Sequence, residues 1–144
     1  QRYVDKTTEP EKKATFLLRI AKIHYGHTRQ FSKARAAAQE AMKYKSNWGD
    51  PLILIGKLYA SSGSLCGPGT GFDSQVVTWP AIDKGNEAKR IDPSVMGEAN
   101  SLIGLYQKYM PSKADIFSRP NVKEGVSFTV KCWIQETTKV RAAD

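Results

Sequence analysis

Between Pro10 and Tyr109, apolar residues recur at helical spacing in five blocks separated by breaker residues. Phe16, Leu17, Ile20, Ile23 and Tyr25 mark the first block. It opens at Thr8-Glu9-Pro10-Glu11, where Thr8 suits the cap, Pro10 a first-turn position and Glu11 the reciprocal place of a capping box. Gly26–Arg29 interrupts the pattern, and a second helix is expected from about Phe31 to Lys45 with its alanines inward. Asp50-Pro51 opens a third that reaches about Ser61. The pattern resumes near Thr78, with Pro80 in the first turn, and runs to about Ile91. Asp92-Pro93-Ser94 then turns into a fifth helix, about Val95–Tyr109, carrying Ala99, Leu102, Ile103 and Tyr106. Met110-Pro111-Ser112 ends it, and Lys113–Phe117 adds one short turn.

Two stretches do not follow this period. The first is the loop SSGSLCGPGTGFDSQ, whose glycines and proline exclude a regular helix. Cys66–Gly71 lacks the Gly-Lys-Ser/Thr ending of a phosphate loop and follows no strand, so a folded Ω-like loop anchored by Phe72 is the expectation. The second is VSFTVKCWI, where Phe128, Val130, Cys132 and Ile134 alternate with Thr129, Lys131 and Trp133, which is strand chemistry. With a tight turn at Gln135-Glu136 and a shorter strand over Thr137–Arg141, this predicts a hairpin burying the Phe128/Val130/Cys132/Ile134 face. Trp133 points the other way, as an exposed contact residue. The expected fold is mostly α: about five helices in antiparallel hairpins over residues 1–110, a Gly-rich insertion at 64–77, and a small C-terminal β-hairpin extension over 111–144 packed on the helices.

Leu52, Ile55-Gly56 and Tyr59, with Gly63 at the turn between helices, resemble the tetratricopeptide repeat (TPR), a helix–turn–helix unit of about 34 residues. The preceding helix fits through Phe31, Ala34, Ala38 and Ala41, with Ser46 where a closing proline is usual. Leu18, Ala21 and Tyr25 form a weaker first unit, and Ala81, Gly85, Ala88 and Pro93, then Leu102 and Tyr106, a later one. Gly85 stands where the family places a bulky residue, which implies a local cavity, and about 13 residues are inserted between Gly63 and Thr78. The insertion and tail together resemble an accessory module at the ends of repeat proteins of some Gram-negative bacteria, which implies the periplasm or cell envelope.

The resemblance implies an antiparallel helical solenoid and a non-catalytic adaptor with a concave groove lined by the first helix of each pair. That places Phe16, Arg19, Ile23 and His27 on the groove from the first unit. Asp50, Ile53, Lys57 and Ala60 follow from the second, and Asn100, Ser101, Gly104 and Lys108 from the fifth helix. Among these, Phe16, Arg19, Ile23, Ile53, Lys57, Asn100 and Lys108 are the expected partner-binding residues. Arg19, Lys57, Asn100 and Lys108 are donors for an acidic or carboxylate-bearing peptide. Ile23 and Leu54 stand where the family's chaperone-tail clamp requires Asn, which argues against that ligand.

Charge sharpens the partner's chemistry. The net charge is +8; residues 1–57 hold 12 Lys/Arg against 5 Asp/Glu, and residues 58–144 hold 10 against 9. The basic half is either a solvated helix face or an attraction to something acidic. No basic-aromatic stripe points to nucleic acid, and no run is long and apolar enough for a membrane span. The two cysteines, Cys66 and Cys132, are either buried thiols, as in a cytoplasmic protein, or one disulfide in an oxidising compartment. Neither they nor His24 and His27 supply a structural zinc set. No nucleophile–base–orienter set appears, so neither an enzyme nor a cofactor is expected. The lack of an initiator Met and of a leader pattern predicts a start after processing or excision. The alternative function is a structural end cap of a longer envelope repeat protein with no groove ligand of its own; partner identity and oligomeric state stay open.

Overall fold

A computed structural model of the chain describes residues 9–67 and 71–143. The described chain is mostly helical, with a small antiparallel two-stranded sheet near its end. The long helices are α1 (Pro10–Gly26), α2 (Phe31–Ala41), α3 (Asp50–Ala60), α6 (Thr78–Ile91) and α7 (Met96–Gln107). Short helices α4 (Gly63–Cys66) and α5 (Phe72–Gln75) occupy the insertion, and α8 (Lys113–Phe117) precedes strands β1 (Ser127–Val130) and β2 (Glu136–Lys139). A single 3₁₀ turn at Pro93–Val95 leads into α7. The proposed cap Thr8 and the loop residues Pro68, Gly69 and Thr70 lie outside the described residues. Glu9 stands at the first cap position without a side-chain cap bond.

Consecutive helices pack on one another: α1 on α2, α2 on α3, α3 on α6 and α6 on α7. Small residues set these approaches. Ala14 and Ala21 of α1, and Ala34, Ala38 and Ala41 of α2, are all fully buried, allowing backbones to draw close where larger residues would hold them apart. Helix α2 stops at Ala41, short of the expected Lys45, because the following amides bond i→i−3 (Lys43 to Glu40, Tyr44 to Ala41). Asn47 then takes φ +56°, which ends any continuation.

Gly85 corrects the expected cavity. A Cβ there would stand 2.9 Å from Cγ1 of Ile103, so the bulky neighbour on α7 already occupies the space. Gly49 is tighter: its Cβ would meet Cγ2 of Val95 at 2.7 Å and the Ala88 carbonyl oxygen at 3.0 Å. This junction is fastened by Asp92, whose carboxylate accepts from the Gly49 amide at 2.8 Å and from the Ser94 hydroxyl and amide at 2.6 and 3.1 Å. Those bonds, from Ser94 first and Gly49 next, hold its carboxyl below the usual aspartate range.

The tail departs from the expected hairpin. Its strands pair antiparallel with Phe128 opposite Thr138 and Val130 opposite Glu136, but Lys131–Ile134 is a turn and not a strand. Gln135, at φ +52°, closes it by bonding its amide to the Lys131 carbonyl at 3.3 Å. The strand alternation therefore stops at Val130, and Trp133 swings inward instead of out. Its ring lies 6.0 Å from Phe31 and 5.5 Å from Tyr59, and its Nε1 donates to the buried Ser62 hydroxyl at 2.9 Å. Ser62 in turn donates to the Leu58 carbonyl at 2.6 Å.

One guanidinium ties this turn to the helices. Arg35 Nη1 donates to the Ile134 carbonyl at 2.7 Å and to the Tyr59 hydroxyl at 2.9 Å; Nη2 donates to the Trp133 carbonyl at 3.3 Å. Its carbon also lies 4.7 Å from the Trp133 ring centre. The Tyr59 hydroxyl donates a hydrogen bond to the Glu136 carboxylate, which faces Lys84 at 3.4 Å. Burial, then the Glu136 bond, pushes the Tyr59 phenol well above its ordinary value, so it stays a donor. At the other end of the hairpin, Asp83 accepts from Thr138 at 2.5 Å and from Arg141 at 2.8 Å, and Trp79 Nε1 donates to the Arg141 carbonyl at 2.9 Å. Phe72, Trp79 and Phe128 meet edge to face at 5.4–5.9 Å.

Cys66 and Cys132 form a disulfide, with Cα atoms 5.2 Å apart and a sequence separation of 66. On the chain-entropy model a loop of this size stabilises the folded state by about 4 kcal/mol. The bond fits an oxidising compartment. Among the described residues no helix is long and apolar enough to cross a membrane.

Four substitutions have measurable consequences. Gly49→Ala lowers the unfolding free energy by about 1–3 kcal/mol, since backbone and Val95 cannot both give way. Gly104→Ala, with nothing within 4 Å of its Cβ, raises it by about 0.5–1 kcal/mol; denaturant titration compares the two. Asp92→Ala destabilises near neutral pH. Its carboxyl is depressed only in the folded chain, so the contribution is complete above about pH 4 and fades as pH falls toward the folded value. Melts across that range should show the wild-type advantage shrinking with acid. Arg35→Met, which leaves two turn carbonyls and Tyr59 short of a donor, costs about 2–4 kcal/mol. It also brings proteolytic cleavage in the tail ahead of cleavage in the helical body.

Candidate functional site

Helix α7 and the turn that closes it carry apolar residues at Leu102, Leu105, Tyr106 and Tyr109, the i, i+3, i+4, i+7 spacing of one helix face. The neighbouring Ala99 and Ile103 face the core. The core takes only one flank of the stripe: Tyr106 is buried, whereas Leu105 is 45% and Tyr109 61% exposed. Opposite stand Lys57, Ala60 and Ser61 at the end of α3, and Tyr25 reaches in from the end of α1. Between them lies a cavity of about 520 Å³.

The chemistry of this groove is aromatic and mostly uncharged. Tyr25 and Ser61 hydroxyls lie 3.3 Å apart. Tyr106 is pushed up to about 12, first by burial and then by the neighbouring Tyr25 and Glu98, so at physiological pH it presents a neutral phenol. Lys57 is the one cation in the lining, and it pairs with Glu98 of α7 at 3.4 Å. Arg29 lies over the Tyr25 ring at 5.9 Å and the Phe31 ring at 4.7 Å, fixing the aromatic end of α1. Such a site can hold an apolar or aromatic side chain and offer hydroxyls and one ammonium at its edge.

The residues expected to share one groove are dispersed. Lys57 is in it, and Lys108, exposed at the end of α7, sits next to Tyr109 in sequence. Ile53 is not available: at 4% exposure it belongs to a core cluster with Leu52, Ala88, Val95 and Ala99. Its side chain turns into the α3–α6–α7 junction, not toward solvent. Asn100 accepts a bond from Lys89 at 2.7 Å on the outer side of α7. Phe16 and Arg19 line a separate cavity of about 320 Å³ with Glu11, Lys12 and Thr15. Ile23, 46% exposed, is two residues from Tyr25 and thus about 200° around the helix from it. The α1 stripe and the α3–α7 groove are therefore different surfaces.

Leu105, Tyr106 and Tyr109 are among the lining residues that sequence reasoning did not assign to a site. The stripe was visible, with Leu102 and Tyr106 read as core, but periodicity cannot say which flank a neighbouring helix leaves uncovered. His24 bonds Thr28 at 3.1 Å through Nδ1, and His27 is exposed. Among the described residues no group of three or more His, Cys, Asp or Glu is placed to hold a metal ion. No protein-family model, curated protein or solved structure matches the chain.

Proposed function

We propose that this chain is a non-catalytic protein-interaction module of the TPR kind, working in the periplasm or cell envelope. The observation that carries the reading is the uncovered flank of the Leu102–Tyr109 stripe facing Lys57 across an open groove. An apolar or aromatic side chain of a partner's extended or helical segment enters between Leu105, Tyr109 and Ala60. Acidic residues beside that anchor meet Lys57, in exchange for Glu98, and Lys108. The small residues between α1 and α2 and the helix-on-helix order α1 to α7 support the repeat kinship. The Cys66–Cys132 bond supports an envelope location.

The end-cap reading has an observation of its own: the Phe16–Ile23 side of α1 is a second uncovered stripe, one that a neighbouring helix would fit. Affinity capture from the native envelope fraction, followed by titration of the captured partner, separates the two. Truncating a buried tyrosine anchor in an interface costs about 2 kcal/mol, or roughly 30-fold in affinity. Tyr109→Ala with Leu105→Glu should therefore weaken binding by at least that factor, while Phe16→Ala with Arg19→Glu leaves it unchanged. The reverse pattern would establish the end cap. Equal affinity in all variants would remove both surfaces.

A further inference from the structure

Among the described residues, the most exposed of the large apolar side chains is not part of the groove lining. Phe117, at the end of α8, is 92% exposed, whereas the adjacent Ile116 is buried in the core and pins the short helix in place. Beside Phe117 is an open cavity of about 600 Å³ floored by Ile116, Pro120 and Val122. Its lining carries three cations, Lys113, Arg119 and Lys123, against one carboxylate, Glu124. Arg119 is held in place, its guanidinium 4.1 Å over the centre of the Phe72 ring. The residues from Ser118 to Ser127 are exposed except for the half-buried Val122, and Val126 adds a second apolar side chain in water at 41% exposure.

We propose that this edge is a docking surface for an anionic lipid bilayer. A projecting phenyl ring with cations around it matches the two layers of such a surface: hydrocarbon just below, phosphate at the level of the cations. Charge complementarity supports the choice locally: the lining of this cavity is net positive, although residues 58–144 as a whole hold only 10 Lys/Arg against 9 Asp/Glu. An acidic protein segment would meet the same cations, but Phe117, although it lines the cavity, keeps 92% of its surface in water, a projection that suits a hydrocarbon layer. A bilayer takes the ring where it projects. The inference does not depend on the groove between α3 and α7.

Contact is expected to be weak and reversible, because each nearby Lys or Arg contributes only about a fivefold gain in partitioning to an anionic surface. Co-sedimentation of the oxidised full chain with vesicles tests it, comparing phosphatidylcholine doped with phosphatidylglycerol against phosphatidylcholine alone. The wild type should partition to the anionic vesicles and not the neutral ones. Phe117→Ala, which removes no packing, should lower partitioning by roughly tenfold, and Lys123→Glu, a change of two charges, by roughly 25-fold. Circular dichroism of both variants should match the wild type. Absence of binding to anionic vesicles overturns the proposal. So does binding that Phe117→Ala leaves unchanged, which would place the attraction on the basic α1–α2 face. Capture of an acidic phenylalanine-containing peptide at Phe117 and Lys123, with no vesicle binding, would assign the surface to a protein instead.

Discussion

The guanidinium of Arg35 is the constraint on which the arrangement of this chain depends. The turn at Lys131–Ile134 brings backbone carbonyls against the helical body, where water cannot reach all of them. An unpaired buried carbonyl costs about as much as a lost hydrogen bond or more. Arg35 serves two of these carbonyls, the Tyr59 hydroxyl and the face of Trp133 at once. A lysine has neither the planar fork nor the stacking surface for that combination. With the turn held, Cys132 reaches Cys66 and the insertion is fastened to the tail.

Docking the tail divides the surface of α3. Tyr59 and Ser62 face the tail and receive Arg35 and Trp133, while Lys57, Ala60 and Ser61 are left to the groove. The covalent and polar ties thus converge on one side, where they hold α2, α3, α6 and the hairpin together. The α7 side has fewer of them and keeps Leu105 and Tyr109 in solvent. On the proposed binding role, a rigid opposite side would limit the ordering cost of taking up a partner.

Helix positions were legible because each block carries its own period and its own breakers: Gly26–Arg29, Asp50-Pro51 and Asp92-Pro93 fall where α1 ends and where α3 and the turn before α7 begin. The Leu52–Tyr59 signature was equally local. The alternation in VSFTVKCWI misled beyond Val130, because a period of two records only side-chain sequence. The disulfide and the Trp133 contacts come from residues far along the chain. The empty space expected beside Gly85 failed for the same reason, as Ile103 from another helix fills it. Of the expected groove residues, Lys57 and Ala60 line the cavity and Ile53 faces the core, since a position on a helix wheel does not specify which neighbour covers it.

By itself the sequence determined the mostly helical class, the approximate places where helices start and stop, and the uneven charge. These are properties of residues within a few turns of one another, governed by periodicity, capping and backbone preference. Tertiary structure alone decided that Trp133 turns inward, that Arg35 carries the tail, and that the open flank of α7 faces Lys57. Each of those follows from which surfaces are left after long-range packing has consumed the rest, and that remainder is written in no single segment.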